Sequence, residues 1–193
     1  QEAVPTGGAM SAVLGLDGDK IEKICQEISA QSGKEVSVAN YNCPGQIVIS
    51  GYKEAVEAAG EACKEAGAKR VIPLKVSGPF HSALLKDAGA RLGEELKKVE
   101  ISDTFVPYIA NVTADYVTGK DEVKPLLQQQ VSSSVKWQQT LERMIADGVE
   151  EFVEIGPGKT LSGFLKKIDR EVKVSNIDKM EDFIRLVSEH AAM

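Results

Sequence analysis

Apolar and polar positions change period along the first third of the chain, and each change predicts an element. Gly8–Leu16 is a run of small and apolar residues that reads as a strand. Asp17-Gly18-Asp19 offers a turn and an N-cap, after which Ile21, Ile24, Cys25 and Ile28 recur at helical spacing until Gly33. Val36–Asn40 reads as a second strand, Tyr41–Gly45 as a turn cluster of Asn, Pro and Gly, and Gln46–Ser50 as a third strand. An alanine-rich helix runs from Tyr52 to Ala66 with Val56, Ala59 and Cys63 on one face, and Arg70–Leu74 follows as a fourth strand. The order β-α-β-β-α-β is the ferredoxin-like arrangement.

The rest of the chain has a different pattern. Leu84, Leu85, Ala88, Leu92 and Leu96 mark an amphipathic helix that begins at Ser82, and 105–112 reads as a short strand ending at Asn111. Helices are predicted over Asp121–Val131, Trp137–Ala146, Thr160–Ile168 and Glu181–Glu189, with a buried strand at Phe152–Ile155 and another at Val172–Ser175. Strands alternating with helices imply a parallel sheet. About three strands are few for one covered on both faces, so the sheet looks incomplete.

Composition narrows the function classes. The chain has 193 residues, 42% hydrophobic and 27% charged, which suits a globular protein large enough for a real core. A net charge of −6, with no basic stripe interleaved with aromatics, argues against nucleic acid as the main partner. No apolar run reaches the length of a membrane span, and no signal-peptide pattern is present. Cys25, Cys43 and Cys63 are widely spaced and form no CxxC pair, which fits reduced thiols in a cytoplasm and no zinc site.

The candidate chemistry centres on His81. Val71–Val76 reads as a strand, Ser77-Gly78-Pro79 breaks it, and the helix follows, so the imidazole sits where a strand ends and a helix starts. On these residues alone it stands equally as a catalytic base or a structural histidine. The other histidine, His190, lies in a polar C-terminal tail. Ile155-Gly-Pro-Gly-Lys-Thr160 invites a phosphate-loop reading, but position 153, where that motif needs glycine, is Val. The bland alternative is a tight strand-to-helix turn, with weak anion attraction at the helix start left open. No serine carries glycines on both sides in the G-x-S-x-G pattern of a nucleophile elbow. Cys43 in its turn is a packed thiol or a nucleophile, and nothing in the sequence marks a lowered thiol pKa. No acidic cluster has metal-ligand spacing.

Four blocks in order resemble the malonyl-CoA:acyl carrier protein transacylase family. They are Gln1–Pro5 with Gly8-Ala-Met10, Asn40–Gln46 running into Ile47–Gly51, Val76–Ser82, and Val153–Lys159 with Leu161. The resemblance implies an α/β chain with a ferredoxin-like small domain at 6–75. It also implies a partial α/β-hydrolase-like large domain, the acyltransferase core, at 76–193. In this family the serine elbow, an oxyanion-hole glutamine and a malonyl-pairing arginine lie upstream of the block matching Gln1. This sequence is therefore expected to be the C-terminal part, inactive alone, with the N-terminal portion of the same enzyme as a partner.

The further implications are a ping-pong transfer of malonyl from malonyl-CoA to the phosphopantetheine thiol of acyl carrier protein, with no cofactor or metal of its own. His81 is then the general base and acid, and the backbone carbonyl of Gln130 fixes its tautomer, with the register uncertain by one in the run Gln128–Gln130. Phe80 is implied to favour malonyl over methylmalonyl, because an added methyl would crowd the ring. Asn40, Asn42 and Gln46 are implied to line the acyl and pantetheine path, although turn chemistry beside Pro44-Gly45 would suit them equally. Two other readings stay open: a ferredoxin-like module that binds or regulates without turnover, and a thioesterase using Cys43.

Overall fold

The computed structural model describes residues 7–191, so the block Gln1–Pro5 lies outside the described residues, as does the side chain of His190. By compactness the chain divides into Gln1–Thr140 and Leu141–Met193.

The first unit opens with β1 (Gly8–Leu14), α1 (Gly18–Ser32), β2 (Val36–Cys43), β3 (Gln46–Tyr52), α2 (Lys53–Glu65) and β4 (Arg70–Pro73). The four strands form one antiparallel sheet in the order β2-β3-β1-β4, which is the ferredoxin-like topology. Alternation sorts the side chains. Val13, Val36, Val38, Ile47 and Ile49 face the helices and pack on Ile21, Cys25, Val56, Ala59 and Cys63. Each Ile or Val fully buried there contributes roughly 1.5–3 kcal/mol. Helix α1 starts where the Asp17 side chain accepts from Asp19 N at 3.0 Å, and ends where Gly33 turns left-handed at φ 66°.

Among the described residues, the opposite face of this sheet carries no helix. Met10, Ala39 and Val48 are buried on it, packed by Ala12, Leu74 and Phe80. One expectation needs correcting here: Tyr41–Cys43 continue β2, and only Pro44-Gly45 make the turn. The strand persists because Tyr41 packs into the helix-side core and Cys43 is fully buried.

Beyond β4, a 3-10 turn (Ala83–Leu85) leads into α3 (Lys86–Leu96). The region expected to form a strand over 105–111 contributes only β5 (Ile109–Ala110), in a hairpin with β6 (Asp115–Tyr116). Phe105 is 98% exposed, so apolar character there reflects no pairing within the described residues. Helices α4 (Lys120–Gln130) and α5 (Trp137–Ala146) follow.

The second unit contains β7 (Glu151–Ile155), α6 (Thr160–Ile168), β8 (Lys173–Ile177) and α7 (Met180–Ala191). β7 and β8 pair in parallel across α6. The parallel sheet therefore has two strands among the described residues, against about three expected, because the 105–111 segment forms its own antiparallel hairpin. Strand β7 is also less buried than its composition predicts, with Ile155 78% exposed. Among the described residues no helix is long and apolar enough to cross a membrane.

Candidate active site

His81 sits on a short loop fixed at several points. Leu74 N donates to Met10 O at 2.9 Å, so the chain leaves the sheet edge still paired. The Pro79 ring then lies against Gly8, where any Cβ would collide with it. Phe80 N donates to Gly78 O at 3.0 Å, and the buried Ser82 hydroxyl donates to Pro79 O at 2.7 Å. On the far side, Ala83 N donates to the Glu35 carboxylate at 3.1 Å. Between these anchors His81 adopts φ 56°, a left-handed conformation that side-chain-bearing residues rarely take. Such strain persists only where surrounding contacts over-determine it.

The half-buried imidazole places Nδ1 3.1 Å from the carbonyl oxygen of Gln130. A carbonyl can only accept, so Nδ1 carries the proton and Nε2 keeps its lone pair. Gln130 is the last residue of α4, where carbonyls lack intrahelical donors and the helix dipole is negative. That end is attractive to an N–H and more so to an imidazolium. The sequence run of three glutamines left this register open; the contact is to Gln130.

The segment after Gln130 is stitched to β2. Ser134 Oγ donates to Val38 O at 2.5 Å, Val135 N to Ala39 O at 2.8 Å, and Tyr41 N to Val135 O at 2.9 Å. Asn40 pairs with Val48 across β3 and bridges Val135 in parallel. Cross-strand partners share a face, so Asn40 lies on the helix-free face, and Gln46, two residues before Val48, does too. Phe80, next to His81, packs on that same face against Met10, Ala39 and Val48. Asn42 is half-buried where the β2–β3 register shifts between Tyr41 and Cys43. The structure thus brings His81 and Gln130 into contact, and gathers Phe80, Asn40 and Gln46 on one sheet face.

Other candidates fall away for physical reasons. Ser82 is 1% exposed with its hydroxyl engaged by Pro79 O, so it offers no free nucleophile. Cys43 is fully buried. Burial pushes the Cys25 thiol up to about 12, with added repulsion from Cys63 and Glu22, and pushes Cys63 up to about 11. The start of α6 already holds an anion: the Glu154 carboxylate accepts from Leu161 N at 3.1 Å and Ser162 N at 2.8 Å. Ser162 Oγ and Asn176 Nδ2 complete its shell at 2.6 and 2.9 Å. Partial desolvation works to raise this carboxyl, but those hydrogen bonds prevail and hold it below the ordinary value. The glycine loop is a turn capped from within, with the Leu161 and Ser162 amides already donating to Glu154.

The first unit thus carries a ferredoxin-like sheet and a histidine held by a helix-end carbonyl, and the second is an α/β unit with a pair of parallel strands. The chain belongs to the acyl transferase domain family, whose model matches residues 2–182. It is 47% identical over 192 residues to the malonyl CoA-acyl carrier protein transacylase of Bacillus subtilis, covering 97% of this chain and 60% of that protein. The namesake from Staphylococcus aureus (strain COL) is 46% identical over 182 residues, covering 94% of this chain and 59% of the relative. Among solved structures, the malonyl CoA-acyl carrier protein transacylase of Clostridium perfringens superposes with TM-score 0.92 at 40% identity, over 100% of this chain and 60% of that one. A malonyl-transacylase solved in complex with a holo type II polyketide acyl-carrier protein gives TM-score 0.93 at 39% identity, over 98% and 61%. The chain spans about 60% of the length of the curated relatives it matches.

Sequence reasoning missed Glu35, the Ser134–Val135 stitch and the seat that Gly8 makes for Pro79. All three act through tertiary contacts with a distant segment, and no local pattern signals them.

Proposed function

We propose that this chain supplies the general base and part of the acyl channel for malonyl transfer between coenzyme A and an acyl carrier protein. The observation that carries the reading is the 3.1 Å contact from His81 Nδ1 to the Gln130 carbonyl, which leaves Nε2 as the basic nitrogen. In the first half-reaction a serine hydroxyl gives its proton to Nε2 while its oxygen bonds to the malonyl carbonyl carbon. The C–S bond then breaks, and the departing thiolate takes the proton from Nε2–H. In the second half-reaction the pantetheine thiol gives its proton to Nε2 and attacks the ester, and the serine oxygen recovers the proton as the C–O bond breaks. The Gln130 carbonyl supports the imidazolium in both halves without adding a formal charge. Phe80 stands against the acyl α-carbon, and Asn40, Asn42 and Gln46 line the path.

The serine comes from polypeptide outside this sequence. No serine here has elbow flanks. Large apolar side chains in the second unit, including Ile155 at 78%, Met180 at 67% and Ile184 at 57%, are exposed as if awaiting cover. The test is reconstitution: the chain is mixed with a polypeptide supplying the remaining length of the relatives, and malonyl transfer to holo carrier protein is followed. Transfer is expected only in the mixture and is expected to fall about 10²–10⁴-fold with His81→Ala. Equal transfer by the chain alone, or by the variant mixture, would contradict the reading.

A further inference from the structure

We infer that Gly89 is a positioning residue for His81, acting through the last turn of α4. The inference rests on the reading of His81 as the base, and concerns what keeps its partner carbonyl in place. Gly89 is buried on α3 where that helix packs on α4. A Cβ built there meets the backbone oxygen of Gln128 at 3.0 Å and the Val131 Cβ at 3.6 Å. The contacted atom is main chain, so it yields only if the turn itself moves. Gln128 and Gln130 share that turn, and the carbonyl of Gln130 moves with it.

The hydrogen bond to His81 has little tolerance for such a shift. At 3.1 Å it already lies toward the long end of N–H···O geometry. A side chain at Gly89 demands a few tenths of an ångström from its neighbour. His81 does not follow α4, because its loop is anchored separately by Pro79 on Gly8, by Ser82 on Pro79, and by Glu35 on Ala83. The absence of a Cβ at 89 therefore sets the distance that decides which ring nitrogen is protonated.

One turn along the same helix, Gly93 provides a matched control. A Cβ there meets the far end of the Gln128 side chain, which can swing aside and leave the main chain where it is. Gly→Ala raises helix propensity similarly at both sites, so a purely structural role would treat the two alike.

The experiment is ¹⁵N-resolved NMR of the imidazoles in this chain at alkaline pH, where neutral rings report their tautomer. The chain holds two histidines, and His190→Gln assigns the remaining signals to His81. The native chain and Gly93→Ala are expected to show the Nδ1–H form. Gly89→Ala is expected to lower the ratio of Nδ1–H to Nε2–H about two- to tenfold, the equivalent of one hydrogen bond's net worth, and Gly89→Val to lower it further. An unchanged ratio in both Gly89 variants, or an equal fall in Gly93→Ala, would overturn the inference. If the ratio falls while transfer in the reconstituted mixture is unaffected, the positioning role stands and the general-base reading fails.

Discussion

His81 Nδ1 and the Gln130 carbonyl meet at 3.1 Å across 49 positions of sequence, and the loop holds His81 at φ 56° to make that meeting. The strained backbone and the helix-end carbonyl are two parts of one arrangement. Left-handed backbone costs a side-chain-bearing residue about 1–2 kcal/mol and glycine almost nothing. His81→Gly is therefore expected to be more stable than His81→Ala by about 0.5–1 kcal/mol, as read from urea denaturation midpoints. Equal midpoints, or a more stable alanine variant, would mean the loop does not hold this conformation in solution.

Glu154 gives a pH signature. Its carboxyl titrates below the ordinary value in the folded chain, so its stabilising contribution is complete above the unfolded-state value, near 4.5, and is lost as pH falls through the lower folded-state value. Glutamine at 154 can accept from one amide but presents a donor to the other. Glu154→Gln is thus expected to be less stable than the native chain at pH 7, with the gap closing as pH falls below about 4.5. A gap that stays constant with pH, followed by thermal melts across the range, would contradict the capping role.

Much of the fold was legible because local signals agreed. Asp17 before an apolar helix, Gly33 after it and short apolar runs bounded by turn residues all favour the ferredoxin-like order, and the structure has it. The second half was read less well because apolar composition does not specify a pairing partner. Phe105 and Ile155 look like core residues in sequence and are exposed in the described chain. The site was legible only in part: the sequence alone left His81 ambiguous, and Gln130 came from resemblance. The anchors Glu35, Gly8 and Val135 have no local signature, since each acts across dozens of residues.

The three thiols are expected to be inert in the folded chain. Cys25, Cys43 and Cys63 are all 1% exposed or less, and burial raises Cys25 and Cys63 well above the ordinary thiol range. Iodoacetamide labelling should be at least about a thousandfold slower than in denaturant, tracking the folding equilibrium. Fast native labelling of Cys43 that also abolished transfer would revive the thiol nucleophile.

Phe80 owes its position to the sheet, because its ring packs on Met10, Ala39 and Val48 beside the His81 loop. On the proposed reading, replacing it by serine opens space where an α-methyl would otherwise be crowded. In the reconstituted enzyme, Phe80→Ser is expected to raise the methylmalonyl-to-malonyl ratio of kcat/KM by about five- to hundredfold, the equivalent of about 1–3 kcal/mol of relieved overpacking. An unchanged ratio would remove Phe80 from the specificity argument.

The most direct test of the central claim is intact mass after malonyl-CoA, with and without the complementing polypeptide. The chain alone is expected to stay at its own mass, while in the mixture the complementing polypeptide gains one malonyl group, slowly or not at all when His81 is alanine. A malonyl group on this chain itself would contradict the account and place the nucleophile among its own residues.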